Sequence, residues 1–133
     1  MNATPFFPER IEMETAPIGA VDLALFAAAS GDHNPLHLDA DVARAAGFDK
    51  PLIHGMLSMA CAGRLFTSHF GPAAVKSLDT RFTGVAKLGE RLRFVARLVQ
   101  HNGATATYQV QGQTHAGGEV VTGSAAIALP PAS

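Results

Sequence analysis

The chain has 133 residues, 47% of them apolar and 16% charged, a composition that suits one globular domain with a real core rather than a disordered segment. A net charge of −1 offers nucleic acid no basic footprint, and the longest apolar runs, such as residues 24–29, fall far short of the roughly 20 residues that a membrane span takes. Cys61 is the single cysteine, which excludes an internal disulfide and a cysteine-based zinc site and makes a reducing compartment, the cytoplasm, the expected location.

The start, Met1-Asn2-Ala3-Thr4, lacks the basic and apolar regions of an export signal, and residues 1–8 and 130–133 read as loose ends. Residues 10–15 alternate Glu12 and Glu14 with Ile11 and Met13, the pattern of a short first strand. After Pro17, residues 19–30 form a helical run rich in Ala and Leu, with Val21, Leu25 and Ala28 expected on its packed face and Gly31 as its left-handed stop. Asp39 can cap a second, short helix that runs through Ala46 and stops at Gly47. A third helix is expected over residues 55–69, closed by Gly71. It is apolar around most of its circumference (Met56, Leu57, Met59, Ala60, Ala62, Gly63, Leu65, Phe66) and is therefore expected to be buried on nearly every side.

Beyond Gly71 the period changes to two. Leu92, Phe94, Ala96 and Leu98, then Ala104, Ala106, Tyr108 and Val110, then Val121, Gly123, Ala125, Ile127 and Leu129 place small or apolar residues at alternate positions. Turns at His101-Asn102-Gly103 and His115-Ala116-Gly117-Gly118 join these strands as hairpins, so four strands are expected from about residue 75 onward, ending in an antiparallel meander. Strand, helices, then a run of strands predicts an α+β domain in which one long helix lies across an antiparallel sheet. Arg81, Lys87, Arg91, Arg93 and Arg97 thicken the basic character of this half; they read either as a lip for a phosphorylated ligand or as the solvated face that strand alternation itself produces.

Chemistry concentrates at the bend between the first two helices, Ser30-Gly-Asp32-His-Asn34-Pro-Leu-His37, and at Pro51-Leu-Ile-His54-Gly55-Met56. Asn34 precedes proline and is biased to an extended conformation, so Asp32 and His37 can point to one place, although their spacing does not require it. A carboxylate and an imidazole facing one small volume hold a water molecule and move its protons. The plainer readings are that Asp32 braces the turn and that His37 is a hydrogen-bonded histidine at a core edge. Gly55 opens the third helix, where backbone N–H groups meet developing negative charge and a residue without Cβ admits a ligand carbonyl. His54 either orients that loop or fills space. His33 and His37 are four apart, but Pro35 between them breaks the helix that would turn both to one metal, so no metal site is expected.

Phe-Ala-x-x-Ser-Gly-Asp-x-Asn-Pro-Leu-His-x-Asp, over residues 26–39, resembles the signature of the MaoC-like, (R)-specific enoyl-CoA hydratases, and Pro-Leu-Ile-His-Gly-Met over residues 51–56 resembles that family's second block. The resemblance implies a hotdog fold, an antiparallel sheet wrapped around the long helix, paired into a homodimer. It implies reversible hydration of a trans-2-enoyl thioester of CoA or acyl-carrier protein, with Asp32 and His37 activating water, the Gly55 amide as oxyanion site and Asn34 steadying the loop. It further implies that Gly63 and Phe66 line the acyl tunnel, with no metal or redox cofactor, no nucleic acid and no membrane. A thioesterase of the same fold and a non-catalytic hotdog subunit are the rivals; the Asp-x-Asn-Pro-Leu-His loop suits water addition.

Overall fold

The computed structural model describes residues 6–130. In chain order it contains β1 (Arg10–Glu14), α1 (Ala20–Ser30), a 3-10 turn (Pro35–His37), α2 (Ala40–Ala45), α3 (Gly55–Phe70), then β2 (Val75–Phe82), β3 (Leu92–Asn102), β4 (Thr105–Thr114) and β5 (Glu119–Ala128). The strands form one antiparallel sheet in the order β1-β3-β4-β5-β2, and α3 packs against it, which is the hotdog architecture.

The period-two pattern becomes the two faces of this sheet. Leu92, Phe94 and Ala96 of β3, Ala106, Tyr108 and Val110 of β4, and Val121, Ala125 and Ile127 of β5 are buried against α3, while Arg97, Gln109 and Gln111 face outward. From the helix, Cys61, Ala62, Leu65 and Phe66 complete this core, and Phe66 meets Tyr108 edge-on with ring centroids 5.8 Å apart. Each of these large side chains contributes roughly 1.5–3 kcal/mol by leaving water.

Two helical faces differ from expectation. On α1 the buried residues are Leu23 and Ala27, whereas Val21 and Leu25 are 70% and 65% exposed. Apolar residues ring most of α1, so periodicity permits either stripe. The rotation is set from outside the pattern: the Asp22 carboxylate turns back to accept the Gly19 N–H (2.8 Å), and Phe26 packs its ring on His54. α3 is not enclosed either. The sheet covers one side of it, and Met56 (53% exposed), Ala60 and Arg64 lie on the side left open.

The caps follow the sequence closely because they are local. Gly31 adopts φ 78° and returns its N–H to Ala27, and the Asp39 carboxylate accepts the N–H groups of Asp41 and Val42. The first described residues are not loose, however. Phe7 is buried against Phe70, and the Tyr108 hydroxyl donates to the Pro8 carbonyl at 2.7 Å. Burial pushes the Tyr108 phenol up to about 12. In the unfolded chain it ionises near 10, so the folded state holds its proton longer, and the stability present below about pH 10 is lost as pH rises toward about 12. Tyr108→Phe is expected to flatten that alkaline decline in urea-unfolding curves and to cost about 0.5–1.5 kcal/mol at neutral pH through the lost Pro8 bond.

The basic residues of the second half do not gather into one lip. Arg93 pairs with Glu12 across β1 and β3 (3.1 Å), Lys87 reaches Asp49 (2.8 Å), and Arg81 and Arg97 stand on the outward, polar face of the sheet beside Gln109 and Ser124.

Candidate active site

The bend after α1 is built by side chains that replace missing backbone partners. The Ser30 hydroxyl accepts the Asp32 N–H (3.1 Å), the Asp32 carboxylate accepts the Asn34 N–H (3.2 Å), and the Asn34 carbonyl accepts the Leu36 N–H (3.0 Å). Asn34, extended at φ −57° and ψ 124° as a residue before proline must be, hands the chain into the 3-10 turn that ends at His37. Asp32 and His37 are thereby brought to one place, with His37 Nε2 3.7 Å from Asp32 Oδ2.

The segment leading into α3 closes the other side. Leu52 donates its N–H to the Leu36 carbonyl (2.9 Å), and its own carbonyl accepts from His37 Nδ1 at 2.8 Å. A carbonyl only accepts, so His37 Nδ1 carries a hydrogen, and in the neutral imidazole it is Nε2 that presents its lone pair toward Asp32. At 3.7 Å the two groups are too far apart for a direct hydrogen bond, and the half-exposed carboxylate leaves room for a water molecule held by both.

His54 is the site residue that the sequence left undecided. It is wholly buried, its Nε2 lies 3.2 Å from the Asp32 main-chain carbonyl, and its ring stacks on His37 with centroids 3.9 Å apart and planes inclined by 22°. Phe26 meets the same ring edge-on at 4.9 Å. Desolvation by burial lowers the His54 pKa from its ordinary value, against the pull of the Asp32 carbonyl. The signal available in the sequence was a histidine placed directly before a helix start inside an apolar run, where an imidazole is costly to bury without a task.

Asp32 lines an open apolar groove of about 520 Å³ together with Phe26, Ser30, Met56, Met59, Ala60, Gly63 and Leu78. Gly63 lines this groove. Phe66 does not line it: it is fully buried against Tyr108, on the stripe of α3 with Cys61, Ala62 and Leu65 that packs on the sheet. Met56 and Met59 line the groove beside Gly63. At the head of α3, Gly55 has the ring of Phe82 3.4 Å from the place a Cβ would occupy, and its N–H, like that of Met56, has no intrahelical acceptor.

Asp32, His37 and His54 carry ligand atoms within 4.8 Å of one another, a different trio from the His33 and His37 pair weighed on spacing. They do not fit a metal. The two imidazoles are stacked nearly parallel, so their in-plane lone pairs run side by side rather than converging, and one nitrogen of each ring faces a main-chain carbonyl.

A family model described as a MaoC like domain matches residues 7–119, a span that contains the whole site. The chain belongs to the MaoC-like dehydratase family. Among solved structures, the R-hydratase PhaJ1 of Pseudomonas aeruginosa is 32% identical with a TM-score of 0.86, over 95% of this chain and 83% of that one. The (R)-hydratase of A. caviae involved in PHA biosynthesis is 29% identical with a TM-score of 0.79, over 91% and 94% of the two chains. Among curated proteins, 3-hydroxyacyl-thioester dehydratase Y of Mycobacterium tuberculosis is 35% identical over 94% of this chain and 45% of its own length. The probable enoyl-CoA hydratase 2 of Dictyostelium discoideum is 31% identical over 80% of this MaoC-like chain and 36% of its own length. The chain thus spans about half, or less, of the length of these curated relatives. No helix among the described residues is long and apolar enough to cross a membrane.

Proposed function

We propose that this MaoC-like protein is an (R)-specific enoyl-thioester hydratase, adding water reversibly to a trans-2-enoyl chain carried on CoA or acyl-carrier protein. The observation that carries this reading is His37 Nε2 facing the Asp32 carboxylate, with Asp32 itself lining an apolar groove along α3. The acyl chain lies in the groove along Met59, Ala60 and Gly63, which puts the thioester at the head of the helix.

His37 Nε2 accepts a proton from the water as its oxygen bonds to C3. The electrons of the double bond move toward the thioester oxygen, where the Gly55 N–H and the positive end of α3 hold the charge. The proton taken from water is returned to C2, so that H and OH add across the bond and the enzyme ends as it began. Asp32 orients the water and holds the positive charge that His37 gains, and Asn34 keeps the Asp32 loop in place.

Val21, Leu25, Met56, Phe82 and Val85 are large apolar side chains left exposed, and the groove is open to solvent, as surfaces that a second copy would cover. We take the working unit to be a homodimer acting in the cytoplasm, with light scattering expected to report twice the chain mass. With crotonyl-CoA as substrate, the conjugated enoyl absorbance is expected to fall without release of free thiol. Thiol release would identify a thioesterase instead, and no change with enoyl-CoAs of any length would overturn the hydratase reading.

A further inference from the structure

Among the described residues His54 is a buried titratable group for which the proton transfers above have no use, yet it touches every part of the site. Its Nε2 lies against the Asp32 main-chain carbonyl, its ring lies on that of His37, and its own carbonyl accepts the N–H groups of Leu57 and Ser58 at the start of α3. Because the Asp32 carbonyl only accepts, the His54 hydrogen is on Nε2. Nδ1 is then a buried lone pair, and it has no partner. A side chain serving only to fill this space would be apolar, since a buried acceptor without a donor is a standing cost that Leu or Phe avoids.

We propose that His54 is a positioning residue that fixes Asp32 and His37 to each other and to the Gly55 amide, by hydrogen bonding the Asp32 backbone and stacking on the His37 ring. The inference rests on the hydratase reading. The groups that face the His54 ring are Asp32 from the loop after α1, His37 from the 3-10 turn and the uncharged Phe26 from α1. A ring in this position stays neutral, because burial disfavours the charged form and a hydrogen on Nδ1 would find no acceptor. The neutral face tolerates, and as a π surface attracts, the charge that His37 acquires during the reaction; a cation stacked there would oppose it.

Three variants and one spectroscopic measurement test this. His54→Gln keeps an N–H donor near the position of Nε2, His54→Phe keeps the aromatic face, and His54→Leu keeps neither. A displacement of about 1 Å at the reacting atoms costs on the order of a hundredfold, so His54→Leu is expected to lower kcat toward crotonyl-CoA by about 100-fold with KM within about twofold. Gln and Phe are each expected to restore about tenfold of that loss. A Leu variant that melts like the parent and keeps kcat within about threefold makes His54 a space filler and overturns the proposal, as does a loss confined to KM. Nitrogen NMR on the histidine-labelled parent protein supplies an arm that needs no activity and no variant. His54 is expected as the neutral Nε2–H tautomer, taking up a proton only at lower pH than a free imidazole does, and an Nδ1–H tautomer or a ring that gains its charge no later than a free imidazole overturns the proposal. A parent protein inactive on all enoyl thioesters removes the functional reading and leaves the tautomer result standing by itself.

Discussion

Asp32→Asn and His37→Asn are each expected to slow hydration of crotonyl-CoA by at least about a hundredfold, the lower end of what a lost general acid or base costs. The replacements are chosen to remove chemistry and spare architecture. Asparagine at 32 still offers an oxygen to the Asn34 N–H, so the bend persists while the carboxylate charge disappears. Asparagine at 37 places an amide N–H near the former Nδ1, keeps the Leu52 carbonyl satisfied and deletes the Nε2 lone pair. His37→Ala removes that lone pair as well but also strands the Leu52 carbonyl, and is expected to lose about 1–3 kcal/mol of stability besides its activity. Initial rates from the enoyl absorbance, beside melting curves of each variant, separate the two effects. Folded variants that keep more than a tenth of the parental rate would remove Asp32 and His37 from the chemistry.

The second large effect is on the fold. Gly123 of β5 stands opposite Thr80 of β2 and Val110 of β4, and a Cβ there would lie 2.0 Å from the Asp79 carbonyl oxygen, an atom of the backbone that no rotamer change can move. Gly123→Ala must therefore push β2 away from β5. The expected loss is at least about 3 kcal/mol, the upper end of ordinary overpacking. Gly63→Ala is the matched control. Its Cβ would make ordinary contact with Leu78 at 3.7 Å, and alanine in a helix interior is favoured over glycine by roughly 0.5–1 kcal/mol. Urea unfolding should show one variant destabilised and the other unchanged or improved. A Gly123→Ala protein of parental stability would mean that edge strand β2 moves away from β5 far more freely than a hydrogen-bonded strand pair normally does.

The contrast between these two glycines shows what the sequence carries and what it does not. Gly31, Asp39 and Gly71 mark helix ends through bonds to residues a few positions away, and period two marks the strands because alternation is a property of a single strand. The face that a helix buries depends instead on where the sheet lies. Val21 and Leu25 form as good a stripe as Leu23 and Ala27, and α3 reads as enclosed because nothing in its own sequence says that its Met56–Met59–Gly63 side meets a groove. The same holds within the site. The Asp32 bend is legible from Asn34-Pro35, whereas the stacking of His54 on His37 and the diversion of Phe66 into the core depend on packing between separate segments.

Three bonds join the two halves of the site: His54 Nε2 to the Asp32 carbonyl, the Leu52 N–H to the Leu36 carbonyl, and His37 Nδ1 to the Leu52 carbonyl. They clip residues 32–37 directly to residues 52–54, so the chain between leaves and returns at the foot of the clip. The exposed residues 44–47, at the end of α2, are therefore where this scaffold is expected to tolerate inserted sequence. Each doubling of a flexible loop adds only about 0.6 kcal/mol of closure entropy, and the clip shields the reacting groups from the change. Length variation at this excursion is expected to leave Asp32 and His37 in place, which makes it a natural point for grafting a recognition element.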